Sequence, residues 1–226
     1  TAVIKNFKLL DSYIEATGSD CGSIVGRGQG GTFETIYSDA TIICSGARVG
    51  GLFGQLYGKN VKVRNCWFDG QVKATGNHVS QRGTGGIIGM YSDDVCTISN
   101  CLNTGVIDAT AYTHNQKTDG TLIVPLAGGI IGEVYPNSEV VLENCLNVGE
   151  VKVNKVASVG YGSIAGWVDG KIKVKDTYAL ADSCGLHSLS HCTAGITTVV
   201  DESILKGYTA YQRTLLDFDK YLLYIK

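Results

Sequence analysis

GGIIGEVYPNSEVVLENCLNVGEV, residues Gly128–Val151, is the segment that much of the chain repeats. Two clear copies precede it, GGIIGMYSDDVCTISNCLNTGVI at Gly85–Ile107 and GGLFGQLYGKNVKVRNCWFDGQV at Gly50–Val72. Weaker copies begin at Gly22 with GSIVG and at Gly162 with GSIAG. An internal repeat of this length is typical of architectures in which each unit is stabilised by its neighbours. The repeat therefore decides the fold prediction.

Each copy contains three short segments with strand character. The first is an apolar run that ends on a glycine, as in Gly129–Gly132. The second alternates apolar and polar residues, as in Val61–Arg64, and the third reads Gly-x-Val, as in Gly149–Val151. Alternation with a period of two predicts one buried face, and strands this short are stable only when successive copies stack. We therefore predict an all-β, right-handed parallel β-helix, a solenoid of about six rungs.

Two landmarks align the copies with one another. The last glycine of the apolar run is predicted to occupy one structural position, at Gly26, Gly54, Gly89, Gly132 and Gly166. The second landmark is an Asn-Cys pair, whose asparagines should form a ladder at a bend and whose cysteines should point inward. Its members are Asn65-Cys66, Asn100-Cys101 and Asn144-Cys145, with Thr35-Ile36, Asp176-Thr177 and, in the first rung, Asp11-Ser12 as weaker equivalents. The next residue is bulky in every copy: Tyr13, Tyr37, Trp67, Leu102, Leu146 and Tyr178.

The composition is that of one ordered domain. Of the 226 residues, 44% are apolar and only two are proline. The formal net charge is −2 with no long run of one sign, so we expect no nucleic-acid partner and no direct membrane insertion. We predict β-helical repeats over residues 1–180, then a final coil and C-terminal cap of the same domain over 181–226, with a last strand at Ile196–Val200. Because the sequence starts without Met inside a patterned segment, we expect it to be a mature product or a piece of a longer chain.

Six of the eight cysteines are predicted to fill the core as free thiols: Cys21, Cys44, Cys66, Cys96, Cys101 and Cys145. Neighbouring rungs would hold Cβ atoms about 4.8 Å apart, more than the ~3.8 Å of a disulfide. Only Cys184 and Cys192 could close a loop as a disulfide. The same segment contains His187 and His191, but its C-x2-H-x3-H-C spacing is a poor match to zinc sites. A loop disulfide or free thiols is therefore favoured over zinc, and we predict no metal and no cofactor.

No catalytic residue is predicted. Enzymes that cleave polysaccharides on a β-helix need paired acids, or acids around calcium, gathered on one face. Asp93-Asp94 lies at a turn, where Asp is favoured by its own backbone hydrogen bonds. The sequence has no GxSxG nucleophile motif, and the glycine-rich Gly26–Gly31 lacks the lysine and helix of a phosphate loop. Acids of neighbouring rungs that meet in one groove would favour the enzyme over a non-catalytic module.

The connections that follow the third strand vary most among the copies, and they are predicted to protrude from one side: Ile43–Val49, Lys73–Thr84, Asp108–Ala127 and Lys152–Tyr161. Such insertions often form the binding face of a repeat protein. Aromatic residues also follow the aligned glycine in several copies, and they could either contact a ligand or merely cover the turns. The predicted ligand contacts are His78, Arg82, Tyr112, His114, Asn115, Lys117, Tyr57, Tyr91, Tyr135 and Trp167.

The repeat resembles a known family. The order of GG(I/L)(I/F)G, variable turn, alternating strand, Asn-Cys and Gly-x-Val, over roughly residues 20–180, resembles the GLUG-motif repeats of bacterial cell-surface proteins. Those repeats occur in adhesin-like proteins and beside surface peptidase domains. The resemblance implies an extracellular, adhesive or carbohydrate-contacting module at the bacterial cell surface, part of a larger anchored chain, and it carries over no catalytic residue.

The function prediction follows from the repeat and the resemblance together. We expect a non-catalytic module for cell adhesion that binds carbohydrate or a host surface protein. Two alternatives stay open. One is a polysaccharide lyase or glycoside hydrolase on a β-helix, and the other is a structural spacer with no ligand.

Overall fold

A computed structural model describes residues 2–76, 83–111, 115–116, 122–123, 126–154, 160–180 and 198–200. Throughout these ranges the chain is all-β, with strands and turns and no helix. Hence no described segment is a helix of the length and apolar character needed to cross a membrane. Most strands pair in parallel and lie in curled sheets, which confirms the predicted all-β class and is compatible with a β-helix.

The strands form three parallel sheets and one antiparallel hairpin. The long sheet contains Val3–Leu9, Val25–Ser38, Phe53–Phe68, Ile88–Ser92, Asp94–Ser99, Leu102–Asn103, Ile131–Val134, Ser138–Glu143, Leu146–Asn147, Ala165–Val168, Lys171–Lys175, Tyr178–Leu180 and Thr198–Val200. The second sheet contains Tyr13–Ala16, Thr41–Cys44, Gln71–Ala74, Val106–Ala109 and Val151–Val153. The third sheet contains Asp20–Cys21, Arg48–Gly50, Thr84–Gly85, Ala127–Gly128 and Tyr161–Gly162. Asn115–Gln116 and Leu122–Ile123 form the hairpin.

Neighbouring strands in each sheet come from successive copies of the repeat. In the long sheet, Ile88 pairs with Phe53 on one side and with Ile131 on the other. The glycine after each of these residues therefore occupies one position, as the alignment predicts. Thr198–Val200 pairs in parallel with Tyr178–Leu180, so a strand lies within the range predicted for the last one.

The interior is filled by columns that take one apolar residue from each copy. The alternating strands place every second side chain inward, because successive residues of a strand point to opposite faces. One such column is buried and runs through Val61, Cys96, Val140 and Ile172. Strands too short to enclose a core alone thus share a continuous one.

The residues at the asparagine landmark share a left-handed backbone conformation: Thr35 (φ 55°), Asn65 (φ 55°), Asn100 (φ 52°), Asn144 (φ 52°) and Asp176 (φ 45°). Asn and Asp adopt this region more readily than other residues with a side chain. Asn100 Nδ2 also donates to Asn65 Oδ1 at 3.1 Å, so part of the ladder is linked by side chains. The left-handed conformation at this bend therefore explains why Asn or Asp occupies the landmark position in most copies.

The alignment of the first rung was wrong. Phe7 pairs with Ile36 in the long sheet, which assigns the landmark position to Asn6 and not to Asp11. Asn6 has the same left-handed conformation as its equivalents (φ 54°). Tyr13 instead pairs with Thr41 in the second sheet, so it does not belong to the column of bulky residues. Asp11-Ser12-Tyr13 misled the alignment because it imitates the landmark by residue type.

A second asparagine ladder lies inside the chain and was not predicted. Asn103 and Asn147 are fully buried, and Asn103 Nδ2 donates to Asn147 Oδ1 at 2.6 Å. Asn147 Nδ2 donates in turn to the Gly149 carbonyl at 3.0 Å. The paired glycines of the repeat make room for these amides, since a Cβ on Gly129 would lie 2.2 Å from Asn147 Cγ. The GG motif is therefore a packing requirement between neighbouring copies.

Candidate functional site

An open groove follows the turns that join the apolar run to the alternating strand. It has a volume of about 1230 Å³, and we name it the turn groove. Five successive copies line it, through Gln29-Gly30, Tyr57-Gly58-Lys59, Asp93-Asp94-Val95, Asn137-Ser138-Glu139 and Asp169-Gly170-Lys171. Because the copies stack in register, residues distant in sequence meet along one surface.

The backbone of these turns explains much of their sequence. Several of the residues have a left-handed conformation: Gly30 (φ 61°), Gly58 (φ 83°), Asp93 (φ 67°), Asp94 (φ 83°) and Asn137 (φ 64°). Gly, Asn and Asp are the residues that tolerate this region. The turn geometry thereby places short polar side chains beside the groove, where they are exposed to solvent. Asp93 and Asp94 serve the turn, as predicted, and also line the groove.

The groove presents charges of both signs. Its acids come from three successive copies, as Asp93 and Asp94, then Glu139, then Asp169. Lys59 and Lys171 are its cations, and Glu139 is held by an ion pair with Lys173 (Nζ–Oε1 2.6 Å). Acids of neighbouring copies therefore do share one groove. In the described ranges, however, no three His, Cys, Asp or Glu side chains come together as they would to hold a metal ion.

Apolar surface lies next to these charges. Val95 is 41% exposed and is the large apolar side chain that the groove presents to solvent in its described lining. The ring of Tyr57 is half-buried at the edge of the groove, and the guanidinium of Arg27 lies 4.9 Å from its centroid. A cation over the ring fixes its orientation. The groove thus combines hydrogen-bonding groups with an aromatic surface.

Tyr91 is not a surface residue, so the prediction that it contacts a ligand is wrong. It pairs with Leu56 and Val134 in an inward position and is fully buried. Its hydroxyl lies 2.8 Å from the Gly58 carbonyl and 2.9 Å from the Asp93 carbonyl, so it ties together the turns of two copies. Burial raises the pKa of Tyr91, which keeps the hydroxyl protonated. Its role is to support the groove from below.

The other predicted aromatic residues are half-buried but do not form one row. Trp167 pairs with Glu133 in the long sheet, while Tyr57 pairs with Ser92. Tyr135 lies beside Tyr91, to whose carbonyl its backbone N–H donates at 2.9 Å. Tyr57 and Tyr135 both lie three residues after the aligned glycine and share a column with Ser92, whereas Trp167 lies one residue after it and is in another column.

A smaller cavity opens beside the turn groove and shares Asp93 with it. It has a volume of about 260 Å³ and is lined by Arg48, Gln55, Met90, Ser92, Asp93 and Tyr135, and we name it the side pocket. Gln55 is only 5% exposed, and its Nε2 donates to Ser92 Oγ at 3.2 Å. Sequence reasoning missed Gln55, because its position carries Met90 and Glu133 in the next copies. The sequence did show that this position carries a polar, an apolar and a charged residue in successive copies, and this variation could have indicated Gln55.

Most of the predicted insertion contacts lie outside the described residues. These are His78, Arg82, Tyr112, His114 and Lys117, and the same holds for the predicted disulfide partners Cys184 and Cys192. Of Asn115 only the backbone is described, in the hairpin. The insertion face therefore stays a prediction.

The other six cysteines are free and buried, in the inward positions that the alignment gives them. Burial raises the pKa of the Cys96, Cys101 and Cys145 thiols, which keeps them neutral. Cys44 is different. The pKa of its thiol falls to about 7, mainly because of its hydrogen bond with Cys21. All six contribute to the core and none reaches the groove.

Comparison with known proteins gives no family for this chain. No family model, curated protein or solved structure matches it. A function must therefore be argued from the turn groove and the side pocket.

Proposed function

We propose that this chain is a non-catalytic module of a bacterial cell-surface protein that binds a carbohydrate chain along the turn groove. The observation that carries the proposal is the groove itself, built from the exposed turns of five successive copies. Carboxylates, amides and ammonium groups there can exchange hydrogen bonds with sugar hydroxyls. The Tyr57 ring and Val95 offer apolar surface for the C–H faces of a sugar. Recognition would depend on a rigid scaffold and need no chemical step.

The proposed scaffold is a right-handed β-helix of about six rungs. Six copies support the count, since the long sheet takes successive strands beginning at Val3, Val25, Phe53, Ile88, Ile131 and Ala165. The hand rests on the general rule that connections between parallel strands are right-handed. Such a scaffold would hold the five turns of the groove in one straight column.

The surface location rests on the repeat motif. Three strong copies of GG, Asn-Cys and Gly-x-Val or Gly-x-Ile resemble GLUG repeats, which implies an extracellular, anchored protein with a role in adhesion. A host surface protein is the other partner compatible with an adhesive role. The groove favours carbohydrate, because it combines carboxylates, amides and ammonium groups from five copies with the apolar surface of Tyr57 and Val95.

A glycan-array screen of the purified chain tests the proposal. We expect binding to a defined set of glycans, weakened by Asp169→Asn and by Tyr57→Ala in the groove. Glu150→Gln is the matched control, since Glu150 is exposed beside the second sheet and outside the groove. If every glycan fails to bind while the protein is folded, the proposal is wrong, and the spacer and host-protein alternatives gain.

One observation favours a second candidate, cleavage of a polysaccharide. Acids from three successive copies line the groove together with Lys59 and Lys171, as a lyase or hydrolase would need. Against this, Asp93, Asp94 and Asp169 are exposed, so no apolar wall surrounds a general acid. Release of reducing ends or unsaturated products from array-positive glycans decides between the two. Release that Asp93→Asn abolishes would establish the enzyme.

A further inference from the structure

Cys21 and Cys44 lie on the two sides of one corner, where the second sheet passes into the third. Cys44 ends a strand of the second sheet and pairs with Ala16 of the copy before it. Cys21 ends a strand of the third sheet and pairs with Val49 of the copy after it. The two cysteines therefore belong to neighbouring stacked copies. Both side chains are buried in the core, and a hydrogen bond joins the two thiols.

The surroundings of the Cys44 sulfur favour its ionised form. The backbone N–H of Gly46 donates to Cys44 Sγ at 3.2 Å, and the Gly18 carbonyl oxygen lies 3.6 Å from the same sulfur. The hydrogen bond with Cys21, and after it the bond from Gly46, lower the pKa of Cys44 to about 7 although the thiol is buried. The thiolate is the form of cysteine that attacks a disulfide, so Cys44 is prepared for thiol–disulfide exchange.

The column of Cys66, Cys101 and Cys145 provides the contrast. These thiols also contact one another, but they stack in register on neighbouring copies, where Cβ atoms lie about 4.8 Å apart instead of the ~3.8 Å of a disulfide. Burial also raises the pKa of Cys101 and Cys145, which keeps them protonated. Cys21 is not stacked on Cys44, and in the described part of the chain its strand has a paired neighbour on one side alone. That strand can therefore shift to bring the two sulfurs to the ~2.05 Å of a disulfide.

We infer that Cys21 and Cys44 form a disulfide when the chain folds in an oxidising medium, and that this bond fastens the first copy to the second. The structure shows the same pair in its reduced state, as free thiols. The bond would close residues 21–44 into a loop and restrict the unfolded chain. It would strengthen the copy at the end of the described stack, which has a neighbour on one side alone. The inference goes beyond the proposed function and depends on no ligand.

The oxidant is a small disulfide such as oxidised glutathione. While the first copy is still open, the Cys21 thiolate attacks one sulfur of the oxidant, so a mixed disulfide forms and one glutathione thiolate leaves. As the copy folds, the Cys44 thiolate attacks Cys21 Sγ, the Cys21–Cys44 bond forms and the second glutathione thiolate leaves. The two protons of the protein thiols pass to the two glutathione thiolates. The protein pair thus loses two electrons, and the oxidant gains them.

The test refolds the complete reduced chain from urea, at low concentration, in a mixture of reduced and oxidised glutathione. The folded monomer is isolated, its free thiols are blocked with iodoacetamide in denaturant, and the chain is cut with trypsin. Cleavage after Lys8, Arg27 and Arg48 leaves the two cysteines in separate peptides, 9–27 and 28–48, with one cysteine each. We expect mass spectrometry to find these two peptides joined by a disulfide. Cys101 and Cys145 are the matched control pair and should be recovered as blocked thiols.

Two variants take their residues from neighbouring copies, so both should fold. Cys44→Ala carries the residue that Ala16 and Ala74 supply at the paired positions, and Cys21→Val carries the residue of Val49. The wild type should melt roughly 6–12 °C higher after oxidative refolding than after refolding in a reductant. Both variants should lose most of this difference.

Three results would overturn the inference. The first is recovery of peptides 9–27 and 28–48 from the folded wild type as blocked, unlinked peptides. The second is linkage of Cys21 or Cys44 to other cysteines as often as to each other. The third is a difference in melting temperature that is as large in the two variants as in the wild type. None of these measurements involves a glycan, so each leaves the groove proposal to its own test.

Discussion

Gly129→Ala should strongly destabilise the protein, because the second glycine of the GG motif lies where two copies touch. A Cβ at this position would lie 2.2 Å from the Ser163 carbonyl oxygen and 2.2 Å from Asn147 Cγ. Both distances are well inside 3.0 Å, below which real Cβ atoms are essentially never found. The oxygen belongs to the backbone and cannot rotate away, so the stacked copies would have to separate locally.

Overpacking of a core costs about 1–3 kcal/mol, and contact with a fixed backbone atom puts Gly129→Ala near the upper end. At about 3 kcal/mol, the melting temperature of a domain of this size should fall by roughly 6–12 °C. Gly18→Ala is the matched control, since a Cβ there meets no atom within 4 Å. That substitution should be neutral or stabilise by about 0.4–1 kcal/mol, because it restricts the unfolded chain.

Thermal unfolding followed by circular dichroism, and urea unfolding followed by the fluorescence of the two tryptophans, measure both variants. A melting temperature of Gly129→Ala within about 2 °C of the Gly18→Ala control, less than the shift expected for 1 kcal/mol, would refute the close stacking of the copies at this point.

Three further predictions concern the ladders and the thiols. Asn147→Ala should lower the free energy of unfolding by about 1–3 kcal/mol in urea titrations, because it removes the 2.6 Å hydrogen bond that buried Asn103 donates to Asn147. A loss under about 0.5 kcal/mol would contradict the buried asparagine ladder. Thr35→Asn should raise the free energy of unfolding by about 1 kcal/mol, because a β-branched residue with φ 55° is strained where Asn is not. An unchanged or lower free energy of unfolding would argue against that strain. The raised pKa values of Cys101 and Cys145 give stability that is complete below about pH 8.5, where unfolded thiols are also protonated, and that is lost as pH rises further. Each thiol should contribute a slope of about −1.4 kcal/mol per pH unit, so urea midpoints that stay constant up to about pH 10 would contradict this assignment.

The sequence predicts the stacking because its landmarks are tied to backbone geometry. The aligned glycines and the Asn-Cys pairs recur where the chain must bend or pack closely, so matching Gly89 to Gly132 also matches the strands around them. The period of two in Val61–Arg64 assigns the inward face in the same way. These features are local, and local chemistry can be read from residue types.

Register and close packing are less visible in the sequence. Asn6 could not be distinguished from Asp11 as the first landmark, because both residues favour a left-handed conformation and both adopt it (φ 54° and 47°). Asn103 and Asn147 looked like ordinary members of the third segment, since a buried amide is recognised only when its partner is known. The short strands of the third sheet have two or three residues each, which is too few for any periodicity.

The candidate site was missed for a related reason. Asp93 and Asp169 were each readable as turn residues, and only the register shows that their turns line one groove. Tyr91 was misassigned because an aromatic residue near a turn can face either way, and its pairing with Leu56 decides that it faces inward. Gln55 carries no motif at all, and its unpaired amide is a property of the folded chain.

The central claim is that the turns of stacked copies form one continuous carbohydrate-binding groove. Five copies at the ~4.8 Å spacing of parallel strands give the groove a length of roughly 19 Å, which accommodates several linked sugars. The most direct measurement is a calorimetric titration with oligosaccharides of increasing length from the series that binds on the array. We predict that affinity rises with each added sugar until the groove is filled and then levels off. Affinity that is already complete with a single sugar, or no binding at any length, would contradict the claim.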